Sequence, residues 1–385
     1  MPRQVILREV LVLYPYAAEK RDAVAQMVRD LVLLLGTEFD VSVLPGRNRE
    51  LRQAEGSLAG AIRKKLGRHV FPAIFFVRAV MSSMLRWRRL VAVISVDVPA
   101  GIRLAGMPAR ILSRNRVRLV SWVLDMYSLQ VLRKESGFLP RNTVRALLDD
   151  KGLRSSSDIV TLGQCMADAI YERSGHNANV IPIWREPMPI PKSTLRTRFG
   201  LSEETFVVLY SGTAGPNHPL GSLIRATLSL APLYDVVLLV VGRGSEITQG
   251  RSVVEAAVAP NVYFFDPVEE SELPALLASA DLHVAVLDER MTGTCVPSKA
   301  YAAMAAGKPC LFLGSEDCQV ARDIDVGGGG SVVRSDDTRR IALEMEKYLK
   351  APELATQQGE LSLEFLLTNR SRESARRQWV SVLRK

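Results

Sequence analysis

The residues best suited to chemistry lie in TGTCVPSKAYAAMAAGKP, positions 292–309. Pro297, after Val296, reads as the first residue of a helix, where its missing N–H costs nothing, and Gly307 as that helix's end. Ser298 and Lys299 then occupy the first turn. Free backbone N–H groups, a hydroxyl and an ammonium converge there, an arrangement suited to a diphosphate. A plain capped helix is the competing reading. A second stretch, YSGTAGPNHP at 210–219, places Gly212, Thr213 and Gly215 in a tight turn between a strand and a helix. Glycines there let backbone N–H groups approach a phosphate closely. His218 suits a phosphate or sugar oxygen, and equally a helix cap. A third strand ends in Gly242-Arg243-Gly244, with Arg243 as a phosphate partner.

Two carboxylates follow apolar runs in the first half of the chain. Asp97 follows LVAVISV and Asp125 follows VRLVSWVL. Each is placed to orient or deprotonate a hydroxyl, or simply to cap the helix that comes next. The four cysteines have no metal-ligand spacing and read as reduced, buried thiols of a cytoplasmic protein. No metal site and no cofactor are expected.

The elements that must position these residues alternate. Apolar runs at 10–13, 39–44, 90–96, 117–124, 159–162 and 179–183 read as strands, with helical patterns such as 18–35 between them. PIWREPMPIPKS at 182–193 is too rich in proline for regular structure and reads as a linker. The alternation then restarts, with strands at 206–210, 236–241, 261–265, 282–287 and 309–313. Strands separated by helices imply parallel α/β sheets, with ligands at the strands' carboxyl ends. The expected domains are 1–185, 186–360 and a C-terminal helix at 361–385 that crosses back to the first.

The net charge of +9 is unevenly placed. Positions 47–118 hold 16 basic residues against three acidic ones, a surplus of 13. Such a segment meets phosphates or an anionic surface. It contains the most apolar stretch, VFPAIFFVRAVMSSMLRW at 70–87, flanked by Arg63, Lys64, Lys65 and Arg68 on one side and Arg86, Arg88 and Arg89 on the other. Pro72, Arg78 and Arg86 disqualify it as a membrane span. It reads either as a helix lying in the plane of an anionic membrane or as a core helix with solvated arginines. Nucleic acid is not expected as a partner, since no binding module accompanies the charge. The N-terminus does not read as a signal peptide.

The order FVVLYSGTAGPNH, VVLLVVGRG, NVYFFDPVEESELPALLASADLHVAVL and GTCVPSKAYAAMAAGKPCLFLG resembles the donor half of GT-B glycosyltransferases. More narrowly it resembles family 4, the "group 1" family, of the bacterial capsule, O-antigen and colanic-acid type. The S-G-x-x-G-x-x-H turn at 211–218 and V-P-S-K-x-Y at 296–301 carry the likeness. It is specific over about 205–350 and weaker over SWVLDMY (121–127) and residues 157–184.

The resemblance implies two Rossmann-like domains facing each other across a cleft. It implies a nucleotide-diphosphate sugar on the second domain, its base near Phe265 and Val268. The diphosphate would meet Gly212, Gly215, Arg243, Ser298 and Lys299, with Tyr301 in the same helix. The family's two glutamates fall on Thr294 and Ala302, so both acids are missing, and Glu289 or Asp288 is the expected substitute. The family's acceptor-side His falls on Leu124, while Asp125 remains. The glycine-rich loop after the first strand is replaced by LYPYAAEKR.

The expected function is therefore retaining, metal-independent sugar transfer to a lipid-linked or polysaccharide acceptor, by a peripheral protein at the cytoplasmic membrane face. The alternatives are transfer to a soluble aglycone, or an inactive GT-B-like binding subunit.

Overall fold

The computed structural model describes residues 8–15, 23–45, 58–96, 101–134, 140–189, 191, 195–257 and 261–385. The chain divides into two compact units, Met1–Pro182 together with Ala375–Lys385, and Ile183–Ser374.

In the first unit the order is β1 (Glu9–Tyr14), α1 (Ala23–Leu35), β2 (Asp40–Pro45), α2 (Leu58–Arg86), β3 (Leu90–Val96), α3 (Met107–Leu112) and β4 (Arg118–Val123). Then follow α4 (Tyr127–Lys134), α5 (Pro140–Arg154), β5 (Asp158–Thr161), α6 (Gln164–Ser174) and β6 (Asn179–Val180). Every strand pairs parallel, in the order β2-β1-β3-β4-β5-β6. β1, EVLVLY, is buried along its whole length, as a strand of a parallel sheet covered on both faces must be.

The second unit runs β7 (Phe206–Thr213), α7 (Gly221–Leu230), β8 (Val236–Arg243), α8 (Ser245–Ala257), β9 (Val262–Phe265), α9 (Leu273–Ala278) and β10 (Leu282–Val286). It continues with α10 (Ser298–Ala305), β11 (Cys310–Leu313), α11 (Gln319–Gly327), β12 (Gly330–Val333), α12 (Thr338–Lys350) and α13 (Glu353–Asn369). Its sheet is also parallel, ordered β12-β11-β10-β7-β8-β9. A large core cluster lies here, from Val208, Leu238 and Val284 to Tyr348.

The proline-rich segment is not a loose tether. Ile183 and Trp184 are buried, and Met188 N–H donates to the Ala305 carbonyl at 2.7 Å. The tail is two helices: α14 (Arg372–Arg384) follows α13 after a break at Arg370 and Ser371. From Ala375 onward α14 belongs to the first unit. There Trp379 is fully buried and meets Trp122 edge-on, ring centroids 5.3 Å apart.

Candidate functional site

In the second unit, β7, β8 and β9 build the sheet outward in one direction and β10, β11 and β12 in the other. The order therefore reverses between β7 and β10, and such a switch point opens a crevice at the strands' carboxyl ends. The loops leaving these two strands are tied together: Asp288 N–H donates to the Asn217 carbonyl at 2.9 Å.

The ends of β7 and β8 lie unusually close. Gly212 pairs with Gly242 and Thr213 with Arg243. A Cβ on Gly242, whose φ is +156°, would lie 2.0 Å from the Gly212 carbonyl oxygen. Only glycine permits that approach. The turn beyond β7 closes through His218 N–H, which donates to Gly215 O at 2.8 Å. Arg243 is exposed at the end of β8.

Helix α10 begins one residue later than expected. Pro297 is its N-cap, with φ −63° and ψ 105°, and Ser298 is the first helical residue. The first-turn N–H groups have no intrahelical acceptor, so Ser298 and Lys299 present donors at the positive end of the helix. The Lys299 ammonium sits 5.3 Å from the centroid of the Tyr210 ring. Desolvation pulls its pKa down to about 8, partly opposed by nearby Cys295. An anion would restore full charge to this group.

The other expected donor residues separate into two groups. Phe265 stays near the surface and packs on Phe199, ring centroids 4.4 Å apart, with Val268 against the same apolar cluster. Glu289 is held by Ser335, whose N–H and hydroxyl donate to its two oxygens at 2.6 and 2.8 Å. A carboxylate accepts about four hydrogen bonds, so capacity remains. Asp288 receives the Arg290 guanidinium at 2.9 and 2.6 Å.

Thr294 and Tyr301 are the residues that the structure does not bring to the site. Thr294 is fully buried and donates to Met291 O at 2.7 Å, closing its own turn. Val296 is buried as well. Tyr301 points into the core, where its hydroxyl donates to Asp323 at 2.7 Å. Two positions along the helix turn its direction about 200° away from that of Lys299, whose side chain runs against Gly212 of β7.

Sequence reading gave no role to Tyr210, which opens the 210–219 stretch, and passed over Phe199 and Ser335, which no local motif marks. It expected no Asp-x-Asp metal site, yet Asp323-Ile324-Asp325 has that spacing. Asp323 is nevertheless consumed by Tyr301 and by Arg370, which reaches it at 3.1 and 2.5 Å. Among the described residues no group of three His, Cys, Asp or Glu side chains could hold a metal ion.

In the first unit Asp125 lies just beyond β4, half-buried, and accepts from Gln130 at 3.3 Å. Asp97 lies outside the described residues, as do the side chains of Arg63, Lys64, Lys65 and Arg68, whose backbone belongs to α2. Arg86 is exposed, and its guanidinium donates to buried Glu9 at 2.7 Å and to Ser42 at 2.8 Å, so it also ties α2 to β1 and β2. Arg88 is exposed and lies over the Trp87 ring, 5.3 Å from its centroid. Arg89 is exposed too.

Two parallel Rossmann-like units, the second with an anion-suited switch point, define the GT-B glycosyltransferase fold. Residues 205–351 match the family described as "Glycosyl transferases group 1". The putative colanic acid biosynthesis glycosyl transferase WcaI of Escherichia coli (strain K12) is 22% identical over 242 residues. That alignment covers 60% of this chain and 58% of WcaI. Sucrose-phosphate synthase from Thermosynechococcus elongatus superposes with a TM-score of 0.74 at 16% identity, covering 98% of both chains. Anabaena HepE, in a complex with UDP and glucose, gives 0.71 at 16% identity, covering 98% of this chain and 99% of its own.

Proposed function

We propose that the protein transfers a sugar from a nucleotide-diphosphate sugar to an acceptor hydroxyl. The observation that carries this reading is the convergence of the α10 N-terminus, Lys299 and the glycine turn of β7 at one switch point. The reading is supported by the group 1 match over the same residues and by the nucleotide in the HepE complex. The diphosphate rests on the Ser298 and Lys299 N–H groups, the Lys299 ammonium and the Gly212–Gly215 turn, with Arg243 at its rim. The base lies on the Phe265–Phe199 pair. Glu289 serves the sugar or ribose hydroxyls in place of the missing glutamates.

Transfer proceeds with retention and without a protein nucleophile. As the glycosidic bond breaks, charge grows on the leaving diphosphate, and preorganised donors stabilise it. The departing phosphate accepts the acceptor's proton on the same face, so positioning is the protein's other contribution. No step calls on a metal or cofactor. Asp125 orients the acceptor hydroxyl; Asp97, outside the described residues, is proposed for the same task.

The acceptor is a lipid-linked or polysaccharide saccharide at the cytoplasmic membrane face. The basic surplus of the first unit and the colanic-acid role in the name of WcaI support that choice. A thermal-shift panel of UDP, GDP, dTDP and ADP sugars tests the donor. A ligand at about 100 times its Kd stabilises by about 2.7 kcal/mol, so a flat panel sinks the reading.

A further inference from the structure

The loop that leads into α10 carries Cys295, two residues before the Pro297 N-cap. All four cysteines of the chain lie among the described residues, and none forms a disulfide. Cys165, Cys310 and Cys318 are buried, whereas Cys295 is half-buried. Burial pushes the Cys310 thiol up to about 12, and a buried thiol of that kind is inert at neutral pH. Cys295 is therefore the one cysteine of the four that a reagent can reach. Its Sγ lies 3.9 Å from the hydroxyl of buried Thr294.

The neighbouring cation points to the kind of reagent. The Lys299 ammonium is desolvated and makes no hydrogen bond or ion pair among the described residues. Its stem runs against Gly212 and its Nζ lies over the Tyr210 ring. Cys295 is close enough for its charge to act on that ammonium. An unpaired cation beside the open N–H groups of a helix start draws anions. The same surroundings favour a thiolate, because cysteines beside a lysine and next to a helix N-terminus ionise more readily than cysteines in apolar surroundings. A nucleophilic sulfur and an anion-seeking charge thus share one small region.

We propose that Cys295 is a redox-sensitive modification site whose reagent is an anionic low-molecular-weight disulfide of the glutathione disulfide type. The Cys295 thiolate attacks one sulfur of the reagent. A new S–S bond joins Cys295 to that half, the old S–S bond breaks, and the other half leaves as a thiolate. The protein sulfur is oxidised and the departing sulfur reduced, so no further oxidant is needed. The carboxylates of the attached half then meet the Lys299 ammonium and the first-turn N–H groups of α10. The adduct occupies the ground assigned to the diphosphate, and a thiol reductant clears it. This deepens the proposed function, and its blocking effect rests on the donor site placed there.

The test incubates the full-length protein with glutathione disulfide and maps adducts by peptide mass spectrometry. One adduct is expected, on Cys295, removed by dithiothreitol. K299M should slow iodoacetamide labelling of Cys295 at pH 7 about tenfold, since the cation that favours the thiolate is gone. The treated protein should lose the thermal shift given by the nucleotide-sugar panel, whereas C295S should keep that shift before and after treatment. Three results would overturn the inference: no adduct on Cys295; labelling of Cys295 that is as fast in K299M; or a Cys295 adduct that leaves the nucleotide shift in place. A flat panel with untreated protein would sink the donor reading instead, and the modification site would then stand or fall on the mapping and on K299M.

Discussion

The Lys299 side chain runs against Gly212: a Cβ placed on Gly212 would lie 2.9 Å from Lys299 Cε. The glycine is also held at φ +121°, where an L side chain is strained. G212A therefore displaces the ammonium as well as straining the turn. Nucleotide affinity should fall about tenfold, with about 1–2 kcal/mol lost in stability. Calorimetric titration with the preferred nucleoside diphosphate checks the first, and chemical denaturation the second. An unchanged affinity would mean that the diphosphate does not sit where Gly212 and Lys299 meet.

The depressed pKa of Lys299, about 8 with desolvation as its main cause, gives donor binding a pH signature. A bound diphosphate stabilises the ammonium and raises that pKa, so binding takes up a proton between roughly pH 8 and the raised value. Affinity should fall as pH climbs through 8. The sign for the ligand-free protein is opposite. There the unfolded chain holds the proton up to about 10.5 while the folded chain releases it near 8, so apo stability gains as pH rises through that window. Titrations in buffers of different ionisation enthalpy, at pH 7 and pH 9, count the protons. K299M keeps the stem but removes the charge; turnover should drop on the order of 100-fold, as for loss of one stabilising donor, with no loss of apo stability.

How legible this was differs by element. Strands such as β3 and β8 are continuous apolar runs buried on both faces, and such runs need no tertiary information to be read. The cluster proposed for the diphosphate was legible because each member belongs to a short local motif. Tyr301 was misplaced because the motif places it three positions beyond Ser298 without saying which way it faces; its partner Asp323 is 22 residues away. The pairing of Arg86 with Glu9 was not legible because Glu9 lies 77 residues before it.

The contact between Tyr301 and Asp323 makes a testable brace for α10. Asp323 is 3% exposed and also holds Arg370 and Gln319, so the helix bearing Lys299 is fastened to α11 and to the end of α13. D323N would leave the Arg370 guanidinium short of its counter-charge. Breaking such a buried pair costs about 3–5 kcal/mol. Y301F removes one neutral-to-charged hydrogen bond and should cost about 1.5–3 kcal/mol. Denaturation followed by nucleotide-dependent protection should show the transition of the second unit moving by these amounts, D323N more than Y301F. Equal effects would mean that Arg370 does not depend on Asp323.

Trp379 in α14 belongs to the first unit, although the chain reaches it only after building the second. Its edge-on contact with Trp122 is reinforced by Glu38, which accepts from Arg376 at 2.7 Å and from Arg384 at 2.5 Å. Both indoles are fully buried. W379A should therefore cost about 3–5 kcal/mol, and the loss should fall on the first unit. Two compact units are expected to unfold with their own transitions, so stability here is not one number. Scanning calorimetry with and without nucleotide separates them: the nucleotide-sensitive transition should stay in place while the other moves down. The ion pairs to Glu38, half-buried with Arg376 and exposed at Arg384, should each be worth about 1 kcal/mol, so E38Q should shift the same transition far less. If W379A instead lowered the nucleotide-sensitive transition, α14 would be supporting the second unit.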